Sequence, residues 1–482
     1  MQIRGRVLKK KNEVNFMDDL DYQILENSLL ADPLFDSKTW RLSSQPWWLT
    51  SEQLEDIKLI GCASMSFYSG IELLYRKSHL GKSILRNENL LVPWVANYLD
   101  HAKPSKLIEH SLSSRLKGVI PPVLRPDLLL TEQGLIMTEL DAVPGGIGLI
   151  AQLNRIYQNS NPSLIGEGDK MLQLFYDSLV RLCPREKQHN PVIAIVVSEE
   201  ANAYRPEMNW LVNQYQSFGY AISLHSPEDL FPLGNTININ QNGSPLQVDL
   251  IYRFWELFDL ATISWIDSVC EAWEDMEVVI APAMRPFQEE KLNLALFHHP
   301  ILQSFWQSYL SNQHYKILKN TIPKTWILDP QPLPPHGFLH APEIDGEAIW
   351  NWNQIGEATK KERQLVLKRS GFHPDAWGSR SVVLGHDVSK VTWAKAVQDA
   401  KERTDTGYSI LQNFHKPIRV SHPIYNKDRL SSIEQGRVRL CPYYFPDREE
   451  VHLGGILASF CPADKKIIHG MTEAAMLPCA VL

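Results

Sequence analysis

Residues 125–155 read RPDLLLTEQGLIMTELDAVPGGIGLIAQLNR, and the element they predict is the one around which the rest of the chain is arranged. An apolar run at 128–130 is followed by a polar stretch that contains Gly134, and a second extended run covers 135–140. Two short apolar runs separated by a glycine-containing turn are typical of a β-hairpin. The segment therefore predicts two antiparallel strands.

Three carboxylates fall at the open end of this hairpin. Side chains alternate faces along a strand, so Glu139 and Asp141 point the same way, and Asp127 lies near them on the partner strand. Carboxylates held this close repel one another unless a cation lies between them, and hard oxygen ligands suit Mg²⁺. The pattern alone leaves two interpretations open, a magnesium site or three solvated charges at strand ends.

The composition of the whole chain limits the class of protein. Its 482 residues exceed what one hydrophobic core usually serves, so we expect about two or three subdomains. With 44% hydrophobic and 21% charged residues the chain has the composition of a soluble globular protein. The net charge of -7 argues against a nucleic-acid partner, although a local basic groove for nucleotide phosphates would not show in the total.

Targeting signals and cysteines point to the cytoplasm. No apolar run approaches the roughly 20 residues that span a bilayer, so no membrane association is expected. The N-terminal stretch is basic without a following apolar segment, unlike a secretory signal. The six cysteines lie far apart without a CxxC pair, which favours reduced thiols in a cytoplasmic protein. The oligomeric state is left open.

The pattern along the chain predicts four regions. Residues 1–120 are mainly helical, and residues 121–185 hold the acidic hairpin and the helices after it. Residues 186–285 alternate strand and helix, which is typical of an α/β layer with a mostly parallel sheet, and Arg253 ends one of its strands. Residues 286–482 contain consecutive strands separated by turns. The fold class is therefore α+β with an α/β part.

Two further segments have the residue types of a nucleotide site. Gly145, Gly146 and Gly148 precede a helix, where backbone N–H groups either bind an anion or simply make a tight turn. Lys368 ends an apolar strand and is followed by the loop RSGFHPDAWGSRS. That lysine is either a phosphate ligand beneath a lid or a surface lysine, and the missing GxxxxGK[ST] spacing argues against a P-loop. Gln412, in the strand ILQNF, suits either adenine or the core.

The order of these pieces resembles the synthetase domain of glutathionylspermidine synthetases, which are circularly permuted ATP-grasp ligases, and more distantly eukaryotic glutathione synthetase. The shared features are R-x-D, then an acidic motif starting twelve residues after its aspartate, an α/β layer, a lysine helix, a lysine before a glycine-containing lid, and LQxF. The resemblance implies an ATP-grasp fold with an inserted pre-ATP-grasp α/β subdomain and a helical N-terminal region.

The resemblance also implies roles for individual residues. The family has E-x-N where this chain has Glu139 and Asp141, and its lid is richer in glycine. The implied Mg²⁺ ligands are Asp127, Glu139 and Asp141, and Arg125 would face the reacting carboxylate of the acyl substrate. The implied ATP-binding residues are Lys291, Lys368, Gly378 and Gln412.

The function implied is an ATP- and Mg²⁺-dependent carboxylate–amine ligase that works through an acylphosphate. Its substrates would be a small-molecule or peptide carboxylate and an amine. On this hypothesis, Asp127→Asn abolishes turnover and leaves the fold intact. The alternative is a degenerate ATP-grasp module that binds a nucleotide or a partner without ligase chemistry, which the extra charge of Asp141 and the glycine-poor lid would fit. A third interpretation is ordinary α/β architecture with coincidental motifs.

Overall fold

The structure is a computed structural model that describes residues 20–35, 39–161, 163–331, 340–344, 346–376, 378, 380–448, 450–465, 467–468 and 473–482. Its strands are β1 Trp47–Leu49, β2 Arg125–Thr131, β3 Gly134–Asp141, β4 Ile193–Val197, β5 Ile222–His225, β6 Leu230–Leu233, β7 Thr236–Gln241, β8 Ser244–Val248, β9 Leu250–Phe254, β10 Val279–Ala281, β11 Thr325–Leu328, β12 Glu343–Ile344, β13 Glu347–Ala348, β14 Leu365–Arg369, β15 Val383–Leu384, β16 Ser409–Asn413, β17 Val420–Tyr425, β18 Ser431–Asp447, β19 Glu450–Pro462 and β20 Ala475–Val481. Its helices are α1 Tyr22–Leu30, α2 Ser51–His79, α3 Pro93–Asp100, α4 Ser105–Leu112, α5 Ile147–Tyr157, α6 Lys170–Val180, α7 Arg205–Ser217, α8 Ile266–Glu271, α9 Leu292–His298, α10 Gln303–Tyr309, α11 Asn312–Thr321, α12 Asn353–Glu357 and α13 Lys390–Glu402.

The main sheet has seven strands and holds the hairpin that the sequence predicts. Its order is β1, β20, β19, β18, β2 and β3, and β17 also pairs with β18. These strands come from three of the four regions predicted from the sequence, so the sheet joins distant parts of the chain. The division into regions stays a prediction, because the sheet order does not test its boundaries.

A β-bulge sets which residues of the hairpin face one another. Arg125 pairs with Asp141 and Asp127 pairs with Glu139, whereas beyond the bulge Leu128 pairs with Met137. Thr138 is therefore the extra residue of β3, and its side chain donates to the Asp127 carbonyl at 3.2 Å. The bulge places both pairs of charged residues together at the open end of the hairpin.

Helix α2 crosses the main sheet and supplies much of its core. Its buried side chains recur at helical spacing, as with Ile57, Ile60, Phe67 and Ile71. A Cβ atom built on Gly61 would lie 2.6 Å from the ring of Tyr444 on β18. The glycine therefore allows the close approach of helix and sheet at this point.

The apolar composition of α2 also meets a simple test for a membrane span. Among the described residues one helix, α2, is long and apolar enough by length and composition, with a mean hydropathy of 1.2 in its best window. The apolar runs of the sequence predict no such segment. Because 61% of that window is buried inside the protein, packing against the sheet accounts for its composition.

Two smaller sheets position the remaining parts of the site. The order β10, β9, β4 and β5 is parallel throughout, and every residue of β4 is buried, as its continuous apolar run suggested. The order β11, β16, β14 and β15 is antiparallel and packs against α12 and α13. This second sheet holds both Lys368 and Gln412.

We predict that Gly61→Ala lowers the free energy of unfolding, even though alanine is the better helix former. The propensity gain is about 1 kcal/mol, whereas overpacking costs about 1–3 kcal/mol, so a net loss of up to about 2 kcal/mol is expected by urea denaturation. Lys58→Ala, on the exposed side of the same helix, is the control. A Gly61→Ala variant at least as stable as wild type would contradict the close packing.

Candidate active site

Most of the residues singled out in the sequence meet at one cleft. The hairpin contributes Arg125, Asp127, Glu139 and Asp141 from its open end. Lys291, just before α9, and Lys368, on β14, approach from the other side. Of these, Glu139 and Asp141 are the most open, with 37% and 32% of their side chains exposed. The cleft therefore lies between the edge strand β3 and the sheet that holds β14.

Asp127 is the buried centre of the hairpin end, with 6% of its surface exposed. Its carboxylate lies 2.8 Å from Arg439 Nη1 and 3.3 Å from Arg125 Nε, and it accepts from the Cys441 thiol at 3.3 Å. Burial pushes the pKa of Asp127 up, but the two arginines outweigh it and hold the pKa below its usual value. Both Arg439 and Cys441 were missed by the sequence analysis.

Arg125 forms ion pairs with Asp127 and Asp141, which lie on the same face of the hairpin. Besides Asp127, its guanidinium contacts Asp141 at 3.1 Å and donates to the Gly145 carbonyl at 3.3 Å. Burial raises the pKa of Asp141 and the charge of Glu139 adds to the rise, so Arg125 compensates it only in part. A guanidinium in this place would also meet an anionic substrate that entered the cleft.

Lys291 connects the acids to the lid. Its ammonium group lies 2.8 Å from Glu139 and donates to the Ala376 carbonyl at 2.7 Å. Burial pushes the pKa of Glu139 up, but the charge of Lys291 outweighs it and holds the pKa below its usual value. Lys291 thus contacts both Glu139, a predicted metal ligand, and the lid.

Lys368 enters the cleft beside the bulge. It donates to the carbonyl of the extra residue Thr138 at 2.7 Å and to Gln412 Oε1 at 3.0 Å. Burial lowers the pKa of Lys368 to about 8. Gln412 is buried, and its amide nitrogen donates to Thr325 at 3.2 Å. Its role toward adenine stays a prediction, since both ends of the amide have partners inside the protein.

Gly378 lies in the lid and apart from this cluster. It is exposed, with φ of +63°, and the nearest atom to a Cβ built there is Arg380 Cγ at 4.0 Å. Lid residues 377 and 379 fall outside the described residues. Arg380 contacts Glu200 at 2.8 Å, and Phe372 packs on the core of the parallel sheet. The lid is therefore closed over the cleft, and a nucleotide role for Gly378 stays a prediction.

The backbone N–H groups of the glycines before α5 already bind a carboxylate of the protein itself. The backbone N–H groups of Gly146 and Gly148 each lie 2.8 Å from the Glu207 carboxylate. A side chain of the protein thus occupies the place that an anionic ligand would take at this helix N-terminus. The interpretation as a tight turn, with Gly146 at a φ of +97°, fits better.

The three carboxylates suit Mg²⁺ by their chemistry. They are hard oxygen donors on one face of the hairpin, and Glu139 and Asp141 are accessible. In the described part of the chain, however, no group of three or more His, Cys, Asp or Glu side chains is arranged to hold a metal ion. Each acid instead contacts Arg or Lys, so metal binding would require Lys291 and Arg125 to release their partners.

A second set of acids borders the cleft on the side of the parallel sheet. Arg253, at the end of β9, is fully buried, pairs with Glu289 and donates to the Pro282 carbonyl at 2.8 Å. Arg253 therefore stabilises the local fold, and none of its side chain is accessible to a ligand. Beyond it lies Glu256, where burial raises the pKa to about 8 and the charges of Glu289 and Asp141 add to the rise.

The fold is glutathione synthetase-like. A solved structure of a glutathione synthetase-like effector from Globodera pallida, in its apo form, matches this chain with a TM-score of 0.52 at 12% identity, over 97% of this chain and 99% of that one. A structure described as a candidate γ-glutamylcysteine synthetase from Methylobacillus flagellatus has a TM-score of 0.42 at 13% identity, over 76% of this chain and 83% of that one.

No protein-family model matches the sequence, and no curated protein matches it. The family prediction is thus confirmed only for a glutathione synthetase-like, mixed α/β fold. Glutathionylspermidine synthetase in particular, the ATP-grasp subdomains and the site roles stay predictions.

We predict that Glu256→Gln becomes more stable than wild type as the pH rises. Native Glu256 keeps its proton up to a pKa of about 8, whereas the unfolded glutamate loses it near 4.5. The native state binds more protons between these values, so wild-type stability falls as the pH rises through this window. The variant has no carboxyl group to lose a proton, so its stability does not fall in this way. At roughly pH 8.5 its free energy of unfolding should exceed that of wild type by about 1–2 kcal/mol, after solvent screening is allowed for.

Urea denaturation of both proteins from about pH 5 to pH 8.5 measures this difference. Glu132→Gln, at the exposed turn of the hairpin, is the matched control. A stability difference that stays constant with pH would show that Glu256 titrates as it does in the unfolded chain.

Proposed function

We propose that this chain is an ATP-dependent carbon–nitrogen ligase that joins a carboxylate to an amine. The observation that carries the proposal is the meeting, beneath a closed lid, of hairpin acids from one sheet with Lys291 and with Lys368 from another. The glutathione synthetase-like fold supports it, since the similar solved structure is named for a synthetase. We also propose a location in the cytoplasm, in line with the wide spacing of the six cysteines in the sequence.

The residues of the cleft suit transfer of a phosphoryl group to a carboxylate. In the first step a carboxylate oxygen attacks the γ-phosphorus of ATP and ADP leaves. In the second, an amine attacks the acyl carbon, phosphate leaves and the amine gives up a proton. Lys368 and Lys291 would neutralise phosphate oxygens, and Arg125 would lower the repulsion between the two anions.

In this proposal the side chains that would bind Mg²⁺ are those of Asp127, Glu139 and Asp141. When bound, Mg²⁺ supplies positive charge to the phosphate oxygens of the nucleotide. The side chains that now neutralise the acids, Arg125 and Lys291, would then be available to the substrates. Their long, flexible stems make that exchange feasible without moving the hairpin.

The lid has a separate task, which is to keep water from the acylphosphate. Its closed position rests on the bond from Lys291 to Ala376 and on the pair between Arg380 and Glu200. Because Lys291 also contacts Glu139, a ligand that moves this lysine would alter the hold on the lid. Lid opening and occupation of the cleft are therefore expected to depend on one another.

A second candidate function is a binding module for a nucleotide or a partner, without ligase chemistry. One observation favours it: the predicted metal ligands are already neutralised by Arg125, Arg439 and Lys291. Asp141, where the resembling family has asparagine, fits the same interpretation because its carboxylate serves as a partner for Arg125. The two candidates differ in whether bound ATP is consumed.

Calorimetry with ATP and Mg²⁺, followed by a phosphate-release screen over amino acids, peptides and polyamines, separates the candidates. Binding together with substrate-dependent release supports the ligase. Binding without release under any substrate pair supports the module. Absence of nucleotide binding would contradict both.

We predict that Lys368→Met weakens ATP binding about tenfold or more, because one charged contact to phosphate is lost. The variant should be at least as stable as wild type, since burial of the ammonium group opposes folding and already lowers its pKa. Calorimetry and urea denaturation measure the two effects. Lys395→Met, on the exposed side of α13, is the control, and an unchanged ATP affinity in Lys368→Met would remove this lysine from the site.

Glu139→Gln is the informative test of the metal assignment. We predict that the Mg²⁺ concentration needed for half-maximal ATP binding rises roughly tenfold or more, while the fold is kept because this side chain is accessible. Calorimetry over a series of Mg²⁺ concentrations measures it, with Glu132→Gln as the control. An unchanged Mg²⁺ requirement would show that Glu139 is no ligand.

The structure makes Asp127→Asn a poorer probe than the sequence suggested. The buried carboxylate of Asp127 balances the positive charges of two arginines. Its loss should therefore lower the free energy of unfolding by about 3–5 kcal/mol. Urea denaturation checks this value. A loss of turnover in Asp127→Asn would therefore not distinguish a missing ligand from a weakened fold.

A further inference from the structure

The start of the lid is held by one buried carboxylate. Glu290, in the turn before α9, is 6% exposed, and its Oε2 accepts a hydrogen bond from the hydroxyl of Ser370, directly after β14. The same hydroxyl accepts from the backbone N–H of Leu292 at 3.0 Å. The backbone N–H of Ser370 donates to the Tyr408 carbonyl at 3.0 Å. The chain is therefore fixed at the point where it leaves the sheet for the lid.

Gly371, the next residue, lies directly against the same carboxylate. It has a φ of +40°, and a Cβ atom built on it would lie 2.1 Å from Glu290 Oε1. A side chain at this position would have to displace the carboxylate, so the close approach requires glycine as much as the backbone conformation does. Ser370 and Gly371, the lid base, thus owe their position to Glu290.

The charge of Glu290 is balanced by a lysine from a distant part of the chain. Lys103, in the short segment between α3 and α4, places its ammonium group 2.6 Å from Glu290 Oε1. Each of the two side chains is only 3% exposed, so solvent screens the pair little. This ion pair connects the segment between α3 and α4 to the lid base.

Burial makes the ion pair more important for position than for stability. A buried pair gains little over apolar side chains of similar volume, because the loss of hydration offsets the attraction. Loss of one partner is costly, since the remaining charge is left where water does not reach it. The lid base continues into the exposed residues Pro374 and Asp375, so opening of the lid base would admit water to an unpaired charge.

We infer that Lys103 and Glu290 form a latch that keeps the lid closed, and that the lid opens at its base when this pair separates. Glu290 is a positioning residue, which acts through Ser370 and Gly371. The next residue, Lys291, holds the middle of the lid through the Ala376 carbonyl. A shift of the segment between α3 and α4 would therefore release the lid. The latch requires no chemistry in the cleft, so this inference is independent of the proposed function.

Hydrogen exchange of the full chain, measured by mass spectrometry without nucleotide, tests the latch. The backbone N–H groups of Ser370 and Leu292, both bonded at the lid base, are followed in peptides that cover 368–376 and 290–296. Lys103→Met should raise their exchange rate about tenfold or more, while strand β19 of the main sheet exchanges as in wild type. Lys106→Met, which breaks an exposed pair with Glu271, is the control and should leave both rates unchanged.

A double variant separates the effect of charge from that of packing. Glu290→Gln should also raise exchange at the lid base, because the ammonium group of Lys103 then lacks its partner. The double variant Lys103→Met/Glu290→Gln has no buried charge and keeps an amide oxygen for Ser370. Its exchange rate should therefore be lower than that of either single variant. Effects of the two substitutions that simply add would overturn the latch.

The other outcomes also decide the question. Unchanged exchange at the lid base in Lys103→Met overturns the latch, and so does an equal rise in β19, which would show a general loss of stability. Exchange at the lid base that depends on Lys103 supports the latch even if wild type neither binds nor consumes ATP, in which case the ligase proposal fails alone. Consumption of ATP with a lid base insensitive to Lys103 supports the ligase and overturns the latch.

Discussion

The contact of Asp127 with Arg125 and Arg439 is the constraint on which the cleft depends. It fastens the open end of the hairpin to β18, the longest strand of the main sheet, and it does so in a buried place where an unpaired charge would be costly. Once the position of Asp127 is set, the cross-strand register sets the position of Glu139. Arg125 in turn holds the carboxylate of Asp141 in place. The remaining groups of the cleft approach a surface that is already rigid.

The sequence predicted the parts of this arrangement that are local. The hairpin, the buried strand β4 and the strand β14 that holds Lys368 follow from runs of a few residues, where alternation or continuous apolar character is decisive. Arg439 and Cys441 were missed because they lie about three hundred residues from Asp127 in the chain. The only local signal was the alternation of RVRLC in a strand, which puts arginine and cysteine on one face without saying what they meet.

Other differences arise because a sequence pattern does not show which partner a group already has. The glycines before α5 suggested an anion site, and the anion proved to be Glu207, a residue of the same protein. The acids of the hairpin suggested a cation, and the cations in the structure are Arg125, Arg439 and Lys291. In both cases the sequence left two interpretations open, and the partner that each group has could be identified only from the fold.

The bulge beside Asp127 has a consequence for any comparison with other hairpins. Without Thr138 as an extra residue, Asp127 would face a different residue and the two acids of β3 would point to the opposite side of the sheet. A short acidic motif with the same spacing in a regular hairpin would therefore direct its carboxylates away from the cleft. Transfer of this charge pattern to another scaffold would have to carry the irregular strand along with the charged residues.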